Sequence, residues 1–93
     1  MTYQMNFVDF CLGILTLSSQ FEFSVTSWFR SLPHNTAVGG SENSFHLIGM
    51  GSDIVLDKFE DTVAFVRRAT GLGFSVLNEG DHLHLQPEVQ NAS

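Results

Sequence analysis

The residues able to do chemistry fall in two groups. In Ser44-Phe45-His46-Leu47-Ile48-Gly49-Met50-Gly51-Ser52-Asp53-Ile54, His46 precedes Asp53 by seven positions, with two glycines between them. Near the end comes Glu79-Gly80-Asp81-His82-Leu83-His84. Imidazole and carboxylate are ligands that Zn²⁺ takes, and a further carboxylate can remove a proton from water at such a site. These groups therefore point to a small zinc hydrolase. The competing reading is an ordinary domain whose polar loops happen to carry histidines, since a single His-to-Asp spacing arises often by chance.

Arg30 is the only basic residue before Lys58, so it belongs to no charge run. A lone guanidinium at a strand end suits a carboxylate or a developing oxyanion, with a structural ion pair as the alternative. His34 sits in a Pro-Asn turn and is expected to be exposed.

The elements that must position these groups can be read from periodicity. Phe7, Phe10, Cys11, Ile14 and Leu15 form a helical stripe that Asn6 can cap, predicting a helix over about 6–18 that Gly13 weakens. Phe21 to Thr26 alternates as a strand, and Asp53 to Leu56 resumes an apolar rhythm. Asp57 and Glu60 read as cap and capping-box acid of a second helix, with Phe59, Val63 and Val66 on one face. Arg67 and Arg68 suit its C-terminal end, and Gly71 suits a left-handed cap. Gly73 to Leu77 and His82 to Gln86 read as a hairpin around Asn78-Glu79-Gly80-Asp81. On the returning strand His82 and His84 share one face, and Leu83 and Leu85 the other. Both histidines could bind one ion, or one could ligate while the other meets substrate. Glu79 and Asp81 are the candidate general bases.

The chain has 93 residues, enough for one small domain, and 43% hydrophobic content with nine phenylalanines supports folding. Four Lys and Arg against ten Asp and Glu give a net charge of −6, which argues against nucleic acid. Cys11 is the only cysteine, so a disulfide framework and a four-cysteine zinc site are excluded; among apolar neighbours it reads as a buried thiol. The apolar run from Phe7 to Leu17 has no basic flank, is interrupted by Asp9 and is too short to span a bilayer. Neither a signal peptide nor membrane insertion is expected. Residues 1–4 read as a loose start and 88–93 as a tail, and a monomer is expected rather than an obligate oligomer.

Ser27-Trp28-Phe29-Arg30-Ser31, Asn35, Val38-Gly39-Gly40, Ser44-Phe45-His46, Gly49 and Ser52-Asp53-Ile54 together resemble the zinc D-alanyl-D-alanine carboxypeptidase and endolysin family, particularly its C-terminal-domain subgroup. The family pattern runs S-G-Y-R-S, N-x-x-V-G-G, S-x-H-x-x-G-x-A-x-D-I, then an acid with H-x-H. The resemblance spans about residues 22–87 of a single domain. It implies an α+β fold, a small antiparallel sheet with two main helices, of the Hedgehog/DD-peptidase type.

The resemblance further implies one Zn²⁺ held by His46, Asp53 and His84, with Asp81 as general base and His82 as the active-site histidine. Arg30 would stabilise substrate or the tetrahedral intermediate, and Ser44 would contact the peptide. The alternative register, His82 as ligand with Glu79 three residues before it, has identical spacing and stays open. The implied reaction is hydrolysis of peptidoglycan stem peptides or cross-links by metal-activated water. It would take place at the bacterial cell wall, after production in the cytoplasm or carriage on a phage. A non-catalytic zinc peptide-binding module and a phage assembly protein with a degenerate peptidase fold are the alternatives. Trp28 stands at a usual glycine, Phe29 at a tyrosine and Gly51 at an alanine, and none of these departures removes a ligand. Trp28 could narrow the cleft or pack a small core.

Overall fold

The computed structural model describes residues 2–3, 5–28 and 49–90, with 2–3 and 89–90 described by their backbone alone. Helix α1 (Phe7–Gln20) begins with a complete capping box. The Asn6 side-chain oxygen accepts the Asp9 N–H at 2.9 Å, and the Asp9 carboxylate accepts the Asn6 N–H at 3.1 Å. Phe10, Gly13, Ile14 and Leu17 form its buried stripe, while Phe7 and Leu15 are exposed and Cys11 is only half-buried. Gly13 strengthens the packing. A Cβ there would stand 2.6 Å from the Phe74 ring, so the missing side chain lets the helix seat against the sheet.

Strands β2 (Phe23–Ser27), β3 (Ser52–Leu56), β4 (Phe74–Asn78) and β5 (Leu83–Pro87) form an antiparallel sheet in the order β2-β3-β5-β4. The protein is α+β, with two helices and this small four-stranded sheet among the described residues. In β3 the side chains alternate: Ser52 and Ile54 are buried, while Asp53 is half-buried on the opposite face. In β5 Leu83 and Leu85 join the core with Ile54, Phe74, Phe10, Leu17 and Phe65. Edge-to-face ring pairs lock this core, Phe10 on Phe74 at 5.3 Å and Phe21 on Phe65 at 5.3 Å.

Three readings of the second helix are corrected. Helix α2 spans Thr62–Gly71 and follows a 3₁₀ turn at Phe59–Asp61, with no side-chain cap from Asp57 or Glu60. Its buried face is Phe65 and Ala69; Val63 is exposed and Phe59, in the 3₁₀ turn, is 88% exposed, so these two residues of the face expected to be buried point outward. Gly71 is still helical, and the positive φ of +100° falls on Gly73, which leads directly into β4. Two residues near each end, read from sequence as a loose start and a tail, are strand. Strand β1 (Thr2–Tyr3) pairs antiparallel with β6 (Val89–Gln90). No helix among the described residues is long and apolar enough to cross a membrane.

Candidate metal centre

The two central strands bring the first two groups together. Asp53 on β3 and His84 on β5 are direct cross-strand partners. Pleating turns both away from the core, where opposed side chains stand close enough to touch. His84 Nδ1 lies 2.9 Å from Asp53 Oδ1, and the side chains retain only 10% and 16% of their exposure. The second ring nitrogen, Nε2, lies 2.9 Å from Gln86 Oε1.

The β4–β5 turn delivers the second layer. Asn78 Oδ1 accepts the Gly80 N–H at 3.0 Å, Gly80 takes φ +94°, and the Glu79 N–H donates to the His82 carbonyl at 3.0 Å. This geometry aims Glu79 and His82 at Asp53. His82 Nε2 is 3.9 Å from Asp53 Oδ2 and 3.8 Å from Glu79 Oε1. As the strand period predicts, His82 and His84 both reach Asp53, and Leu83 and Leu85 point into the core.

Asp81 lies elsewhere than Glu79. Its Oδ1 is 2.6 Å from His82 Nδ1, the nitrogen farther from Asp53, and its side chain is 91% exposed. That hydrogen bond is the main reason the imidazole is held above its ordinary pKa; partial burial opposes it, and the charges of Asp53, Asp81 and Glu79 add to it. The same bond lowers the Asp81 carboxyl.

Asp53, Glu79 and His82 each offer a ligand atom within 4.8 Å of the others, a group able to hold a metal ion. Asp53 with His84 is the other pairing. Ligands at about 2.0–2.1 Å from a tetrahedral zinc stand about 3.3 Å apart, so a few tenths of an ångström would open their 2.9 Å contact to fit one. The donor chemistry fits as well. A neutral imidazole has one N–H; with Gln86 Oε1 facing Nε2, a cation between Nδ1 and Asp53 suits the lone pair and the carboxylate on that side.

Arg30, Ser44 and His46 lie outside the described residues, as do Phe29, His34 and the Gly39-Gly40 pair. The frame on either side of that segment is defined. Trp28 packs edge-on against Phe10 at 5.5 Å, and its indole N–H donates to the Gly49 carbonyl at 2.6 Å. Of the two roles foreseen for Trp28, the structure shows core packing, and the hydrogen bond ties residue 28 to residue 49. Gln86 was missed in the sequence. Its position two residues after His84, on the same face of one strand, was the available signal.

A carboxylate and imidazoles gathered beside the central strands make a candidate metal centre. Residues 14–86 match the Peptidase M15 family, and the chain belongs to that family of zinc metallopeptidases. No curated protein and no solved structure matches the chain.

Proposed function

We propose that the protein is a zinc-dependent peptidase acting on peptidoglycan stem peptides or cross-links. The observation that carries this reading is the Asp53–His84 contact on the central strands, with the Glu79–His82 pair beside it. Asp53 and His84 hold the ion with His46 as the third ligand. When bound, the ion supplies Lewis acidity, polarising a carbonyl and lowering the pKa of water.

Glu79 is the general base in this reading. It stands on the Asp53 side of His82 and is half-exposed, so a water proton can reach it. His82, biased toward its charged form, presents Nε2–H to the oxygen that gains negative charge. Asp81 accepts the Nδ1–H and fixes the ring, and so serves to orient His82. Arg30 and Ser44 bind the substrate peptide, Arg30 through a carboxylate or the oxyanion.

The spacing of Asp53, Glu79 and His82 favours a second reading, in which these three hold the ion. Glu79 would then be consumed as a ligand, leaving a zinc module that binds peptide without cleaving it. Incubation of the zinc-loaded protein with defined peptidoglycan fragments, followed by mass spectrometry, separates the two. Release of a D-amino acid or of a split cross-link, lost in Glu79→Gln with zinc retained, is expected. Intact fragments at full zinc occupancy would refute the peptidase reading.

A further inference from the structure

We infer that Gln86 is a positioning residue of the metal centre: its side-chain carbonyl accepts the Nε2–H of His84 and so turns the Nδ1 lone pair toward Asp53. The inference rests on His84 being a zinc ligand.

His84 and Gln86 share a face of β5 because they are two residues apart on a strand, and Pro87 ends that strand in the core. The Oε1 to Nε2 distance is 2.9 Å, and that to Asp53 on the other nitrogen is also 2.9 Å. A neutral imidazole can donate to only one of them. If the proton sits on Nδ1, it points at the carboxylate and the metal-facing lone pair is gone. If it sits on Nε2, Gln86 takes it and Nδ1 keeps its lone pair for the ion. With its Oε1 on Nε2, Gln86 supports the tautomer competent for metal. A ligating histidine commonly donates its second N–H to an outer partner, whose loss costs about 10–100-fold in metal affinity. Here that partner is a neutral amide, which orients the ring without adding charge to the centre.

Zinc affinity of the full chain, measured by competition with a chromophoric chelator, tests this. Gln86→Leu, which keeps the length and loses the acceptor, is expected to bind zinc about 10–100-fold more weakly. Gln86→Glu restores the acceptor oxygen and is expected to recover most of the affinity. Nitrogen-15 NMR of the zinc-loaded wild type provides a readout independent of any variant's folding. His84 is expected to show a protonated Nε2 and a metal-bound Nδ1. Wild-type affinity in Gln86→Leu, or a metal-bound Nε2, overturns the inference. His84→Ala keeps the two failures apart: unchanged affinity there removes His84 as a ligand and the role of Gln86 with it. Lost affinity there, beside unchanged affinity in Gln86→Leu, removes the role of Gln86 alone.

Discussion

Replacing Glu79 by Gln and, separately, Asp81 by Asn distinguishes the two carboxylates that sequence spacing left interchangeable. Each change removes a negative charge and keeps the side chain's shape. Glu79 Oε1 is 3.8 Å from the His82 nitrogen that faces Asp53, while Asp81 is bonded to the opposite nitrogen and its side chain is 91% exposed. A positioned general base contributes about 10²–10⁴ in rate, equal to about 2.7–5.5 kcal/mol of barrier. Glu79→Gln is therefore expected to lower kcat by that factor with zinc affinity unchanged. Asp81→Asn removes no proton acceptor from the Asp53 side. It is expected to cost about tenfold or less, well below the general-base range, and to shift the pH profile because His82 loses its main source of a raised pKa. The assay is hydrolysis of a defined peptidoglycan fragment across pH, alongside zinc titration of each variant. If Asp81→Asn abolishes turnover while Glu79→Gln retains it, with zinc bound in both, the assignment of the base is wrong.

Other consequences follow from single contacts. Gly13→Ala gains about 1 kcal/mol of helix propensity but drives a methyl to 2.6 Å from Phe74, an overpacking cost of about 1–3 kcal/mol. A net loss near 1 kcal/mol should lower Tm by about 4–8 °C in calorimetry. Trp28→Phe keeps the ring contact with Phe10 and leaves the Gly49 carbonyl without its 2.6 Å donor, so a loss of about 1–3 kcal/mol is expected in urea unfolding. In the metal-free protein, the His82 titration followed by NMR should have its midpoint above 6.5 and fall in Asp81→Asn. A raised folded-state pKa stabilises fully below 6.5 and is lost as pH rises through it; the lowered Asp81 pKa stabilises above 3.8 and is lost on acidification. The stability gap between wild type and Asp81→Asn should therefore be widest between those values and narrow at alkaline pH, where the charge on His82 is lost.

Much of the site was legible because strand alternation carries it. Once 82–86 is read as a strand, His82 and His84 must share a face, and the structure sets both beside Asp53. The hairpin was equally readable from Asn78-Glu79-Gly80-Asp81, as was the Asn6 cap. What failed depended on three-dimensional geometry that residue spacing does not carry. Gly13 looks like a helix weakness until Phe74 is known to lie over it. Phe59 and Val63 look like core by spacing, yet the helix turns Phe65 and Ala69 inward in their place. The pairing of Thr2–Tyr3 with Val89–Gln90 goes unread because two residues leave almost no periodic signal. The two acids, Glu79 and Asp81, differ by the nitrogen of His82 each one faces, which no one-dimensional spacing encodes.

The central claim is best tested by anomalous scattering at the zinc edge from crystals of the zinc-loaded protein. One peak is expected, bonded by Asp53, His84 and His46 at about 2.0–2.2 Å, with Glu79 close by and unligated. A peak bonded by Glu79 and His82, with His84 remote, would contradict the account.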